Sequence, residues 1–282
     1  MTELAVIMSI YKKDKLKFVK QSVQSILYQT FTQFHFYLIL DGPVSVDIEA
    51  YISNLHDIRL RLFRSQINMG LAKVLNHLLE EILNNPEYKF IARMDADDIS
   101  MPERFLLQRD FLIKHSDISC VGSWYREIDE DGKQLSERKL PTGSEDLRNY
   151  YFKRAPFAHP SVMYSRKLIE SAGLYPTDTI LMEDTILWGR ALKAGLKFAN
   201  INEFLFEFRI DSDFFKRRSG LKYGWYFLTQ KFMINSTLDA PVSSFFYILY
   251  AGLIRMLPAF ILKYLYMKIR SFKIQTGSRS VL

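Results

Sequence analysis

One cysteine, Cys120, stands among 282 residues. No internal disulfide can form, and a reducing compartment is the expectation. No internal repeat or low-complexity tract appears. The first apolar run, Leu4 to Ile10, is only strand length and has no basic residue before it, so a signal peptide is not expected. The long apolar stretch from Val242 to Leu262 is interrupted by Arg255 and Pro258. An Arg at a bilayer centre costs about 2.5–3.5 kcal/mol on insertion scales, so a clean spanning helix is not expected either. Acids are almost missing from Phe214 onward: eleven Lys and Arg face Asp239 alone, a net of +10 in a chain whose whole charge is +7. The basic character therefore belongs to the tail, and the first 213 residues are slightly acidic.

What is present is enough apolar residue, 48%, for one large domain or a domain with an appendage. Ala5 to Ile10 reads as a strand buried on both faces, and Leu16 to Tyr28 as an amphipathic helix. Strands follow at 36–40, 58–63 and 88–94, separated by helices over 46–55 and up to about Ile82. This β-α-β-α-β-α-β series predicts a parallel sheet with helices on both faces. Ligands in such sheets sit at the carboxyl ends of the strands. Tyr11, Asp41 and Asp95 each fall at or just past such an end.

The fourth strand closes in Met94-Asp95-Ala96-Asp97-Asp98. Alternation along a strand puts Asp95 and Asp97 on the same side, where their charges repel. A hard divalent cation, Mg2+ or Mn2+, relieves that repulsion and completes its shell with phosphate oxygens. The plainer alternative is a solvated turn, with Asp98 or Ser100 capping the helix that Pro102 opens. An EF-hand loop fails, because Ile99 and Ser100 stand where a ligand and a Gly are needed. Further on, 102–114 reads as a helix, 118–122 as a strand, Asp129 to Gly132 as a hairpin turn and 157–162 as strand-like after its proline. A helix starts at Glu183-Asp184 and ends before Gly195. Acids in a first turn are ordinarily dipole partners, and His159 alone is ordinarily structural.

An ordered set of motifs resembles family 2 glycosyltransferases of the GT-A fold, in the branch that builds bacterial surface polysaccharides such as amylovoran and O-antigen. The matching pieces are Met8-Ser-Ile-Tyr11, Leu40-Asp-Gly-Pro43, Asn68-x-Gly-Leu-Ala with Asn76, Met94-Asp-Ala-Asp-Asp98, His159-Pro, and Glu183-Asp184 with Trp188. They run in the family's order over roughly 4–220. The resemblance implies a Rossmann-like, mostly parallel α/β sheet over 1–213, with a nucleotide-binding half to about 100 and an acceptor half after it. It implies that Ser9, Tyr11, Asp41 and Asn68 hold the nucleotide, that Asp95 meets the ribose or metal side, and that Asp97 binds Mn2+ or Mg2+ under the diphosphate. Asp184 would be the general base, with His159, Glu183 and Trp188 on the acceptor side. Leu40 departs from the pattern, standing where the family often has an acid. The Gln-x-x-Arg-Trp motif of processive synthases is absent, which implies single-sugar transfer. Near its place, Arg217 and Arg218 in Lys216-Arg-Arg-Ser-Gly220 could meet the diphosphate. The implied partners are a UDP-sugar and a lipid-linked saccharide. A metal-dependent phosphohydrolase and a non-catalytic nucleotide-sugar-binding partner of another transferase are the alternatives.

For 214–282 the expectation is a set of C-terminal amphipathic helices. Tyr250, Ile254, Leu257, Ile261, Tyr264 and Leu265 fall on one helical stripe, with Arg255, Lys263, Arg270 and Lys273 on the other side. Such a helix suits the surface of an anionic membrane, peripheral at its cytoplasmic face, and a helix that covers the core is the alternative the aromatic content also allows. Nucleic acid is not expected, since no binding motif accompanies the charge.

Overall fold

A computed structural model describes residues 2–275, with backbone alone at 267 and 269–275. Four strands, β1 (Leu4–Tyr11), β2 (Phe34–Asp41), β3 (Leu60–Arg64) and β4 (Phe90–Asp95), form a parallel sheet in the order β3-β2-β1-β4. The connecting helices are α1 (Leu16–Leu27), α2 (Val46–Ser53) and α3 (Leu71–Leu83). Alternation along β1 explains the layers. Leu4, Val6, Met8 and Ile10 point into the core with Val19 and Val23 of α1 and Ile48 of α2. Ala5 and Ile7 point the other way, against Val74, Leu75 and Leu78 of α3. Helices therefore cover both faces, as the sequence predicts.

Beyond β4 the sheet turns mixed. β5 (Ile99–Ser100) is followed by α4 (Arg104–Lys114), β6 (Ile118–Ile128), β7 (Gln134–Arg138), α5 (Ser144–Tyr151), β8 (Met163–Ser165), α6 (Arg166–Ala172), α7 (Glu183–Lys193) and β9 (Lys197–Arg209). β8 runs antiparallel to both β4 and β6, while β9 is parallel to β6 and antiparallel to β5. Three expectations change here. β6 is 11 residues long and includes the arm of the hairpin. The 159–161 segment is a single 3-10 turn, and the strand begins only at Met163. No helix is capped by Asp98 or Ser100: Ile99 and Ser100 pair with β9, and Ser100 bonds Gln29.

The tail forms α8 (Phe214–Arg217), α9 (Leu221–Thr237), α10 (Val242–Met256) and α11 (Ala259–Gln275). Pro258 separates α10 from α11, so the expected stripe from Tyr250 to Leu265 is split between two helices. α9 and α10 pack closely, because Gly224 and Gly252 leave room: a Cβ on Gly252 would lie 2.2 Å from Leu228. Arg255 does not join an outward basic face. Its Nη1 donates to the Ala251 carbonyl at 2.9 Å and its guanidinium lies over the Phe227 ring, facing inward. Lys263 is exposed on α11, while the Arg270 and Lys273 side chains lie outside the described residues. Among the described residues, no helix is long and apolar enough to cross a membrane.

Candidate active site

The register of the parallel strands brings their ends together. Ser9 of β1 stands opposite Asp95 of β4, and Tyr11 opposite Asp41 of β2. A cavity of about 840 Å³ opens above them. Of the side chains expected to hold donor, metal or acceptor or to act as base, every one except Trp188 lines it. Trp188 is 1% exposed and packs against Phe157, Tyr164 and Phe198. Its expected place beside an acceptor is corrected to a core position, edge-on behind His159.

Asp41 is buried, and its carboxylate accepts from Met69 N at 2.6 Å, Gly70 N at 3.0 Å and Asn68 Nδ2 at 2.9 Å. It therefore fastens the 68–70 loop to the end of β2. Gly42 makes the approach possible. At φ +78° it suits glycine, and a Cβ there would sit 2.6 Å from Asn68 N. Tyr11 is tied in the same way, its N–H donating to Asp14 Oδ2 at 2.8 Å.

β4 ends at Asp95, so Asp97 is delivered by the following turn rather than by strand alternation. The turn still gathers the acids. Carboxylate oxygens of Asp95, Asp97 and Asp98 lie within 4.8 Å of one another. Burial and then Asp95 push the Asp97 carboxyl up to about 7. Burial and then Asp97 and Asp95 push Asp98 well above the carboxylate range. Burial also raises Asp14, unnoticed in the sequence, to about 8, with Asp97 and Asp95 adding to the effect. Crowded carboxylates of this kind are what a hard divalent cation neutralises, and the donor set of oxygens fits one. Asp98 Oδ2, buried without a hydrogen-bond partner among the described residues, is a further sign that the charge balance of the cluster is incomplete.

Two arginines absent from the sequence reading organise the acids. Arg93, 1% exposed beneath the cavity, pairs with Asp95. Arg209, at the end of β9, donates its Nε to the Asp97 carbonyl at 2.7 Å and its N–H to Asp98 Oδ1 at 2.7 Å. Nothing local in either stretch marks them, since an Arg inside a strand reads as an ordinary exposed position.

Across the cavity, α7 begins with Glu183 and Asp184. Asp184 Oδ1 accepts from Thr185 N at 2.6 Å, while Oδ2 accepts no hydrogen bond among the described residues. Burial raises Asp184, with the Thr185 bonds, Arg218 and Arg93 opposing. Burial and Asp184 raise Glu183 to about 7. His159 bonds the Tyr175 hydroxyl at 3.0 Å, and burial, with Arg93 beside it, holds its imidazole well below the usual range. It is thus a neutral group at the cavity wall. Asn76 is structural, clasping the backbone of Tyr175 through both its amide atoms.

The two tail arginines part company. Arg217 pairs with Asp211 at 3.0 Å and is felt by Tyr11, Asp14 and Asp97. Arg218 is felt instead by Glu183 and Asp184, and lies over the Phe214 ring. Arg217 thus belongs to the side expected to hold the donor, and Arg218 to the opposite side.

A mixed sheet with acids at its strand ends and a carboxylate across the cleft is the arrangement of a GT-A glycosyltransferase. The Glycosyl transferase family 2 model matches residues 5–173, and the chain belongs to that family. It is 30% identical over 272 residues to the amylovoran biosynthesis glycosyltransferase AmsE of Erwinia amylovora, across 94% of this chain and 98% of that one. It is 31% identical over 223 residues to the UDP-Gal:alpha-D-GlcNAc-diphosphoundecaprenol beta-1,3-galactosyltransferase of Escherichia coli, across 78% and 79%. The fold is similar to that of the mannosyltransferase PcManGT of Pyrobaculum calidifontis, solved with GDP-Man and Mn2+. The TM-score is 0.61 over 99% of this chain and 76% of that one, at 14% identity.

Proposed function

We propose that this glycosyltransferase moves one sugar, with inversion, from a UDP-sugar to a lipid-linked saccharide during assembly of a cell-surface polysaccharide. The observation that carries the reading is that Asp95 and Asp97, clustered with the buried Asp98 at the end of β4, share one cavity with Asp184. The named relatives supply the pathway class and, through the galactosyltransferase, the donor and acceptor classes.

Asp95 and Asp97 would hold Mn2+ or Mg2+, which when bound neutralises charge on the departing diphosphate. Ser9, Tyr11 and Asn68 line the nucleotide end, and Asp41 holds the 68–70 loop in place there. The free Oδ2 of Asp184 takes the proton from the attacking hydroxyl. As the deprotonated hydroxyl oxygen of the acceptor bonds to the anomeric carbon, the carbon's bond to the diphosphate oxygen breaks, and the electron pair leaves with the nucleoside diphosphate. A positioned carboxylate base supplies about 10²–10⁴-fold. Glu183 and His159 border the acceptor, His159 as a neutral hydrogen-bonding group.

The enzyme would work as a peripheral protein at the cytoplasmic membrane face. On α9, Trp225 and Phe232 are exposed, and on α10 so are Phe246, Leu249 and Leu253. These apolar side chains, in a tail whose Lys216, Lys222 and Lys263 are exposed, suit the interface of an anionic bilayer. The test is a screen of nucleotide sugars for thermal stabilisation and slow donor hydrolysis in the presence of Mn2+. Stabilisation by a UDP-sugar is expected. Release of phosphate from simple phosphomonoesters, with no response to any nucleotide sugar, would replace this reading with a phosphohydrolase.

A further inference from the structure

The cavity has a second charged end that the donor does not need. Four cations, Arg154, Arg218, Lys231 and Arg255, line it from the loop after α5, the end of α8, and helices α9 and α10. None of the four forms an ion pair with a carboxylate among the described residues. Elsewhere in the same cavity, Arg93, Arg138 and Arg217 each face one. Lys231 is 2% exposed, and its Nζ donates to the Tyr151 carbonyl at 2.7 Å, leaving two of its three protons without a protein acceptor. Burial depresses its pKa to about 7. Arg218 Nη1 is buried with no hydrogen-bond partner among the described residues. Arg154 meets only the hydroxyl and ring of Tyr247 among its contacts on α10.

Lys231 and the Nη1 of Arg218 are buried, and an unpaired buried cation is costly unless an anion joins it; the exposed Arg154 and half-buried Arg255 line the same cavity. Phosphate oxygens are the acceptors that arginine forks and a lysine ammonium match best. The helix that carries Arg255 is two-faced. Tyr247, Ala251 and Arg255, spaced by four, line the cavity. Phe246, Leu249, Tyr250 and Leu253 lie on the outer face, with Phe246 72% exposed. An anionic head held on one side of α10 would thus have an apolar surface for a chain on the other.

We propose that Arg154, Arg218, Lys231 and Arg255 bind the diphosphate of a polyprenyl-linked acceptor, whose lipid leaves the cavity along the outer face of α10. The proposal rests on the glycosyltransferase reading and assigns the acceptor's anchor within it. Such an anchor orients the acceptor sugar toward Asp184, because Arg218 and Lys231 border that carboxylate. The reacting diphosphate of the donor occupies the acidic end instead, so the two diphosphates are recognised by different means. One is held through a cation on carboxylates, the other by side-chain cations directly.

The experiment uses farnesyl diphosphate as the probe, titrated calorimetrically into the full chain in EDTA, where the acidic end has no metal with which to hold a diphosphate. Saturable binding is expected, tighter than that of farnesol or of inorganic pyrophosphate. Arg154→Gln and Arg218→Gln should each weaken it about tenfold or more, the scale of one lost charge-assisted hydrogen bond. Asp97→Asn should leave it unchanged. Arg154 is solvent-accessible, so its variant reads the site even if a buried substitution at Lys231 prevents folding. Equal affinity in wild type and both arginine variants would overturn the proposal, as would loss of binding in Asp97→Asn. UDP with Mn2+ is run in parallel. If UDP stabilises the protein while farnesyl diphosphate fails to bind, the anchor site falls and the transferase reading stands. If UDP and every UDP-sugar fail, it is the donor reading that falls.

Discussion

Arg209 holds Asp98 and Asp97 with one residue: its backbone N–H reaches Asp98 Oδ1 and its guanidinium reaches the Asp97 carbonyl, both at 2.7 Å. The same guanidinium bonds the Asp129 carbonyl at 2.9 Å and Gln21 at 2.9 Å, and stacks on Phe18. The acidic turn is therefore fixed by the far end of β9 rather than by its own sequence. Arg209→Gln should lower the melting temperature and weaken Mn2+-dependent UDP binding, without removing any carboxylate. Unchanged metal dependence in that variant would show that the turn holds its shape without the Arg209 side chain.

The base assignment has a kinetic and a pH consequence. Asp184→Asn should keep donor affinity and lose transfer by at least about 10²-fold. Near-normal transfer would move the role to Glu183. Burial raises both carboxyls, Glu183 to about 7, so each is ionised only above the ordinary range of its kind. The acid limb of transfer should therefore lie above the ordinary aspartate range. Arg218 stabilises both ionised forms, so Arg218→Gln should shift the limb to higher pH. A limb that stays in place would separate Arg218 from the base.

Lys231 sets a stability slope. Its folded pKa is about 7, while an unfolded lysine titrates near 10.4. Between these values the unfolded chain holds a proton that the folded chain has released, so this group's contribution to stability rises with pH across that window. Lys231→Met should flatten the rise. Melting temperatures from pH 7 to 9.5 for the two proteins check this, and parallel curves would contradict it.

Membrane docking should have two parts. Binding to anionic vesicles should weaken with salt as surface charge is screened. It should not vanish, since each apolar side chain buried at the interface is worth about 1.5–3 kcal/mol. Phe246→Glu with Leu249→Glu should remove the salt-insensitive part. Equal partition of the double variant, or protection of a C-terminal tag from protease outside the vesicles, would count against a peripheral arrangement.

The first half of the fold was legible because its signals are local. Continuous apolar runs of strand length, such as Ala5 to Ile10, read as strands buried on both faces, and three of them close in residues that meet at one edge. β9 escaped notice because Asn200, Asn202, Glu203 and Glu207 break up its apolar residues. It is held by long pairing with β6, which no local pattern announces. In the tail, the charge count was readable but its direction was not. Arg255 sits on the expected polar side of a helix, yet Phe227 and the cavity claim it. α9 has no single apolar face, since both the core and the exposed surface take aromatics from it. Arg93 shows the same limit at the site. Its meaning depends on Asp95 and on burial, and only the second of these is invisible in the sequence.

The central claim is that the acids at the end of β4 bind the donor through a metal. The most direct measurement is UDP-sugar affinity with and without Mn2+, in wild type and in Asp97→Asn. Wild type should bind more tightly with the metal. The variant should keep its fold by circular dichroism and lose the metal-dependent increment, binding equally weakly in both conditions. An Asp97→Asn protein that binds the UDP-sugar with the wild-type response to Mn2+ would contradict the account.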